Sequence, residues 1–575
     1  MKDETQAQPL AEAQRPHLDT VVHAAMGRFT GGLSPAALTT ATLDWSLHLM
    51  GSPERRMKLA QHAWENAWEA WNAAMMAATG YESAESNRRR AADKRFHGEG
   101  WNSLPYNLLS NWFLLQQDWW EEATAPIDGL DPAHQRIVSF AARQTLDMLS
   151  PSNTALTNPD VVGQTQAEGG QNLIRGLRHW LDDVNQVVAG AHRPHPDYRV
   201  GETIATTPGD VVFRNRLIEL IRYKPAKASV HAEPILLVPA WIMKYYILDL
   251  SPHNSLVAFL LYQGFEVYVI SWKNPGREDA DLGLQDYLDL GLAAAIDTIA
   301  PTPDDRLHAV GYCLGGTLLA AGAAAMARDD DARLKTLSLL AAQVDFTEAG
   351  ELSLFINESQ VAFLEDIMAM QGYLRADQMS GAFQMLRSND LIWSRVIRHY
   401  LLGERTAMND LMAWNADTTR MPAQMHSEYL REMFLDNRLA RGQFEVADGP
   451  VALTDIRAPI FSLATETDHV SPWESVYKIN LLTDTDVTFC LTASGHNGGV
   501  LSEPGHPRRH YRLSEKKEGK PYRSAERWLS ETEEIDGSWW PAWSAWLTES
   551  SGAKRSVAID PPKSYAAAPG TYVFG

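Results

Sequence analysis

The chain has 575 residues, 45% hydrophobic and 21% charged, with 72 acidic against 51 basic side chains and a formal charge of -21. That length and apolar content suit several packed domains, and the acidic balance argues against nucleic acid as the main partner. No run of about 18 apolar residues occurs, so no membrane span is expected, and the polar start MKDETQAQPLAEAQRP lacks the apolar segment of a secretory leader. Of the two cysteines, Cys313 and Cys490, a disulfide is one conceivable use, but so few cysteines without a leader fit a reducing, cytoplasmic setting better.

Residues 1–18 are Gln-, Ala- and Glu-rich and are expected to form a disordered tail. Residues 19–192 read as an all-helical N-terminal domain. In KLAQHAWENAWEAWNAAMMAA, Trp64, Trp68 and Trp71 fall at i, i+4 and i+7 and make one aromatic stripe. The expectation is that this stripe packs on neighbouring helices; a granule- or membrane-binding face is the alternative. Arg88, Arg89 and Arg90 read as a solvated cluster.

Near residue 193 the character changes. RPHPDYRVGETIATTPGDVVFRN reads as a linker leading into strands, and residues 193–575 are assigned to one α/β domain. Short apolar runs at 235–238, 267–270, 307–310, 336–340, 460–463 and 487–491 alternate with helical patterns. Such alternation predicts a mainly parallel sheet with its ligand site at the strand C-terminal ends. Between about 345 and 445 the alternation lapses into helical, aromatic sequence, the expected form of a cap over an active site. An extra helical subdomain without that role is the alternative. From about 513 the chain is charged and then Trp-rich, and reads as a C-terminal extension.

The chemistry is announced by LHAVGYCLGGTLLA, residues 307–320. A buried strand runs through Gly311-Tyr312-Cys313-Leu314-Gly315-Gly316 into an Ala/Leu-rich helix. In G-x-[nucleophile]-x-G the glycines admit a strained turn that lifts the nucleophile clear of strand and helix. Cys313 stands at the nucleophile position, and the backbone N–H of Leu314 is an expected oxyanion donor. A buried structural cysteine is the competing reading of Cys313 taken alone.

An elbow nucleophile needs an acid and a base, in that chain order. PIFSLAT leads to Asp468, and VTFCLTA leads to His496, each just past a predicted strand end. Asp468 is therefore the expected orienting acid and His496 the expected base, with His469 the competing base. The second oxyanion donor is expected in VPAWIMKYY, near Ile242. Arg508 and Arg509, with Arg512, form a candidate anion site or a solvated basic patch. Trp393 and Trp414, with Tyr400 and Tyr429, are candidate lining of the pocket or cap core. Cys490, inside an apolar strand pattern, reads as core.

The chain resembles the poly(3-hydroxyalkanoate) synthases of the single-subunit type. The resemblance runs from about residue 60 to 515 and is carried by ATTPGDVVFRN, ILLVPAWIMKYYILDL, VYVISWKNP, GYCLGGTLLA, QVDFTEAGEL, LRSNDLIW, WNADTTRMP, HSEYLREMFLDNRLARG and TETDHVSPW. It implies an α/β-hydrolase core with a helical cap, preceded by a helical N-terminal domain linked to granule association. It also implies a catalytic triad of Cys313, Asp468 and His496, and polymerisation of 3-hydroxyacyl-CoA, 3-hydroxybutyryl-CoA in the first instance, with release of CoA. No metal and no cofactor apart from the CoA moiety of the substrate is expected. The implied partners are the growing polyester or granule surface and a second copy of the chain, in a cytoplasmic, granule-associated setting. The alternatives are a Cys-dependent thioesterase, esterase or polyester depolymerase and, in another class, a non-catalytic granule-coating scaffold. One departure stands out: after His496 the sequence continues Asn497-Gly498-Gly499, where relatives carry apolar residues directly after the histidine.

Overall fold

A computed structural model describes residues 18–30, 33–81, 83–188, 196–386, 388–447, 449–558 and 563–575. The expected tail at 1–18, apart from Leu18, and the expected boundary near 193 lie outside the described residues. The chain divides into two compact units: Met1–Gly32 with Pro194–Met379 and Asn409–Gly575, and Leu33–Arg193 with Ser380–Met408.

The first unit is built on an eleven-stranded sheet. Its strands are, in chain order, β1 (Gly209–Arg214), β2 (Ile218–Tyr223), β3 (Ile235–Val238), β4 (Val267–Trp272), β5 (Leu307–Tyr312), β6 (Leu334–Leu340), β7 (Ile460–Thr465), β8 (Val487–Thr492), β9 (His510–Lys516), β10 (Glu534–Asp536) and β11 (Ala566–Ala567). Across the sheet the order is β10-β9-β8-β7-β6-β5-β3-β4-β2-β1-β11. The six central strands β3 to β8 run parallel, in register Leu237 to Val310, Val310 to Ser338 and Leu463 to Cys490, and the strands outside them pair antiparallel. Each central strand is apolar and buried along almost its whole length, as a strand covered on both faces must be.

Two elements depart from the reading of the sequence. The start of the expected C-terminal extension, near 513, falls inside β9, and Trp528, Trp539, Trp540 and Trp543 beyond it are almost fully buried. Helix Leu18–Thr30 belongs to the α/β unit, where the His23 imidazole lies 2.6 Å from Asp366.

The second unit is helical, with prolines at the first turn of helices Pro35–Gly51, Pro53–Ala78, Pro132–Leu149 and Pro159–Ala167. The aromatic stripe does not pack inward: Trp64, Trp68 and Trp71 are 73%, 59% and 62% exposed. The helix buries Leu59, Asn66, Ala73 and Ala77 instead, and Asn66 donates to the Leu115 carbonyl at 2.8 Å. At about 100° per residue the three tryptophans lie roughly 120–180° around the helix from Leu59. The short side chains on the inner face allow close approach to a neighbouring helix, which three indoles would prevent. Residues 380–408, expected as part of the cap, join this helical unit: Asn172 donates to the Leu401 carbonyl at 2.9 Å and Tyr400 to Asp183 at 2.9 Å.

The tightest fit in the α/β unit is at the turn after β5. A Cβ on Gly315 would sit 2.1 Å from the Val238 carbonyl oxygen and 2.6 Å from that of Pro239. Both obstacles are backbone, so no rotamer change relieves the clash. Gly315→Ala is expected to cost about 3 kcal/mol of stability, read as a lowered urea midpoint, whereas Gly381→Ala, inside a helix with open space around it, should not lower that midpoint.

Candidate active site

Cys313 sits between β5 and helix Leu314–Arg328 at φ +53° and ψ −124°, in left-handed space that a non-glycine residue occupies only under constraint. The constraint is visible on both sides. The Cys313 amide donates to the Leu340 carbonyl at 2.9 Å, and the Cys313 carbonyl accepts from the amides of Gly316 at 2.9 Å and Thr317 at 3.2 Å. A Cβ on Gly311 would lie 2.3 Å from the Gly316 Cα, so strand and helix meet where neither residue has a side chain. Leu314 opens the helix, where amides have no acceptor within the helix itself.

Asp468 lies three residues past the end of β7 and is fully buried at its side chain. Its Oδ1 accepts from the amides of Val470 and Ser471, both at 2.9 Å. Its Oδ2 accepts from Thr465 Oγ1 at 3.0 Å and meets His496 Nδ1 at 2.7 Å. Burial pushes its carboxyl upward, but the His496 charge and these donors outweigh burial and hold it below the ordinary aspartate value. His496 begins the short helix Val500 closes, and its side chain is 10% exposed. Burial disfavours its imidazolium, yet Asp468 and the adjacent Cys313 overcome this and raise the ring well above the ordinary histidine value. His496 is therefore the histidine bonded to Asp468.

The short helix is braced from behind. Trp539 Nε1 donates to the Gly499 carbonyl at 3.0 Å and Trp540 Nε1 to that of Val500 at 2.9 Å. The Trp-rich run is conspicuous in the sequence, but its role in holding the base is not legible there. Thr465 likewise carries no signal beyond lying at a strand end.

The other expected residues have varied surroundings. Ile242 lies in the loop after β3, which is pinned by Thr419: its hydroxyl donates to the Trp241 carbonyl at 2.6 Å and its amide to that of Ile242 at 3.3 Å. Trp414 is buried against this loop and donates from Nε1 to the Lys244 carbonyl at 2.8 Å. Trp393 belongs to the helical unit. Tyr429 lies near the nucleophile: burial first, and then the Cys313 charge, push its phenol well above the ordinary value. Arg509 is engaged with the Leu501 carbonyl at 3.2 Å, Arg512 bonds the Thr532 carbonyl at 2.6 Å and Glu534 at 2.9 Å, and Arg508 is exposed at φ +60°. Cys490 is a buried free thiol in β8. Among the described residues one set with metal-ligand side chains converges, Glu466, His510 and Glu534, and it is knit by a 3.1 Å His510–Glu466 contact and the Arg512 pair to Glu534.

Comparison with known proteins follows the same lines. Residues 92–260 match the family model "Poly-beta-hydroxybutyrate polymerase (PhaC) N-terminus", residues 12–55 match "Poly-beta-hydroxybutyrate polymerase N terminal", and residues 233–494 match "alpha/beta hydrolase fold". A poly(3-hydroxyalkanoate) polymerase of Methylorubrum extorquens is 41% identical over 490 residues, covering 84% of this chain and 80% of the relative. A polymerase subunit of Rhizobium meliloti is 35% identical, covering 92% of this chain and 87% of its own. One from Cupriavidus necator is 34% identical, with coverages of 84% and 83%.

The Asp468–His496 pair makes stability depend on pH in a defined direction. The raised histidine stabilises the fold fully below its unfolded value and loses that contribution as pH rises through the folded value. The lowered aspartate acts above its unfolded value and loses its contribution as pH falls through the folded one. Asp468→Asn is thus expected to cost about 3 kcal/mol near pH 6, a gap that narrows as pH rises through the raised folded value of His496. Urea unfolding of both proteins across pH checks this, and a gap independent of pH would contradict an ionic pair.

Proposed function

Because the chain belongs to the poly(3-hydroxyalkanoate) polymerase family and is a polyester-forming acyltransferase, we propose that it polymerises 3-hydroxyacyl-CoA, with 3-hydroxybutyryl-CoA as the first substrate to test, through an acyl-Cys313 intermediate. The observation that carries the reading is His496, bonded to Asp468 on one side and with its ring 5.6 Å from that of Tyr312, the residue directly before Cys313 at the elbow, on the other.

The steps follow from that arrangement. His496 takes the thiol proton, and the Cys313 sulfur attacks the thioester carbonyl carbon of the substrate. The oxyanion is met by the Leu314 amide, with the amide of Ile242 as the second proposed donor. Collapse expels the CoA sulfur, which takes the proton back from His496, and leaves the acyl group on Cys313. A second 3-hydroxyacyl group then supplies a hydroxyl that loses its proton to His496 and attacks the acyl–Cys313 carbonyl carbon, so that the C–O ester bond forms as the C–S bond breaks and the Cys313 sulfur leaves as thiolate. Asp468 is poorly placed to deprotonate that hydroxyl, since both of its oxygens are occupied by four donors. This supports His496 as the base in both halves of the cycle, with Asp468 holding its orientation and stabilising its charge.

The exposed Trp64, Trp68 and Trp71 suit contact with an apolar polymer surface and support granule association. Arg508 is the freer of the two proposed CoA-phosphate contacts, because Arg509 is tied to its own loop.

With 3-hydroxybutyryl-CoA, the purified chain is expected to release free thiol and to form extractable polyester together. Cys313→Ala should lower thiol release by about a thousandfold or more; substantial turnover in that variant would overturn the nucleophile assignment. Thiol release yielding only free 3-hydroxybutyrate would instead point to thioesterase chemistry. Charge reversal of Arg508 and Arg509 should raise KM for the acyl-CoA, and an unchanged KM would remove them from the substrate site.

A further inference from the structure

The residues next to the nucleophile and next to the base are bonded to each other. The Tyr312 hydroxyl donates to Asn497 Oδ1 at 2.5 Å. Tyr312 is the last residue of β5 and directly precedes Cys313, whereas Asn497 directly follows His496. The Tyr312 ring also lies 5.6 Å from the His496 ring, at 35° between planes. One hydrogen bond and one ring contact therefore span the gap that the Cys313–His496 proton transfer must cross.

The far end of the same carboxamide reaches further. Asn497 Nδ2 lies 3.4 Å from Asn415 Oδ1, in helix Asp410–Ala416 of the inserted segment. With its Oδ1 committed to Tyr312, the amide of Asn497 has its NH2 edge turned towards Asn415, so the tie runs from the elbow through the base loop to the insertion.

We propose that Tyr312 and Asn497 are positioning residues that set the His496 imidazole at proton-transfer distance from Cys313. The inference rests on the acyl-Cys313 reading and adds to it a polar device built from this chain's own residues. Two facts give the bond leverage. Tyr312 is buried in the sheet and cannot swing with solvent, and Asn497 shares a backbone with the base on a helix of five residues that has little rigidity of its own. The opposite end of that helix is held by Trp539 and Trp540, so the Tyr312 bond restrains the remaining end. A displacement of about 1 Å between reacting groups is enough to cost roughly a hundredfold in rate.

The test compares Tyr312→Phe, Asn497→Ala and the double variant in the purified full chain, with Cys313→Ala as the control for the nucleophile. Each single variant is expected to lower kcat for thiol release by about tenfold, within the range a misplaced base produces, with KM and the thermal midpoint little changed. Alkylation of Cys313 by iodoacetamide should slow in parallel. The double variant should be no worse than the poorer single one, because each substitution alone already breaks the tie. Single variants within twofold of the parent kcat, or losses that multiply in the double variant, would overturn the tie while leaving the nucleophile intact. A lowered thermal midpoint with unchanged kcat per alkylatable Cys313 would reduce the bond to a structural one and also overturn it. Turnover by Cys313→Ala would overturn both readings.

Discussion

The structure turns on a crossing of two backbones. Helix Leu314–Arg328 starts so close to β3 and β5 that Gly315 stands against the carbonyls of Val238 and Pro239, and Gly311 against Gly316. That closeness forces Cys313 into left-handed space, at a cost of about 1–3 kcal/mol. The strain persists because both flanking elements are immovable. The strand is paired on both sides, and helix residues Leu314 to Ala325 are all buried, with Ala and Gly thin enough to let the helix lie flat on the sheet. Every other part of the site is arranged about the point this crossing fixes.

The partner groups reach that point from neighbouring strand ends. β7 and β8 lie beside β6, which lies beside β5, so Asp468 and His496 approach Cys313 from one side of the sheet. A buried carboxylate is costly unless its lone pairs are filled. Asp468 has four donors, two of them backbone amides, and this lets it stay ionised and serve as the anchor for His496. The imidazole, less constrained by the backbone, is held at its ring by Asp468 and at its helix by Trp539 and Trp540.

How much of this could be read from the chain differs by element. The six parallel strands were visible because burial on both faces leaves unbroken apolar runs such as ILLV and LHAV. The antiparallel strand β9, HYRLSEK, is half-exposed and charged, so it resembled a tail. The tryptophan stripe of helix Pro53–Ala78 showed its period but not its direction. Periodicity marks a face without saying whether that face or its opposite is buried, and here small residues on the other side allowed the closer packing. Cys313, Asp468 and His496 were legible because strand ends and chain order are sequence properties. The tie between Tyr312 and Asn497 was not, because it depends on a through-space approach of residues 185 positions apart.

A thiol at this position, on a fold that commonly carries hydrolases, bears on which reaction follows acylation. In the proposed cycle, transfer from CoA to Cys313 would exchange one thioester for another, so the acyl group would keep its activation, and the later attack by a hydroxyl to give an oxygen ester would run downhill. The competing nucleophile is water, and the outcome depends on what surrounds the sulfur. Cys313 is 8% exposed. Residues of the insertion that stay with the α/β unit contribute an aromatic wall, in which Phe346 and Phe434 rings lie 4.7 Å apart and Phe434 and Tyr429 rings 5.4 Å apart, and a negative charge on the Cys313 sulfur would raise the Tyr429 phenol. An apolar wall lowers the local concentration of water far more than that of an alkyl-bearing hydroxyacyl group. It also strengthens the His496–Asp468 interaction that, in the proposed cycle, would prepare the alcohol for attack. The same desolvation thus disfavours hydrolysis and sharpens the base.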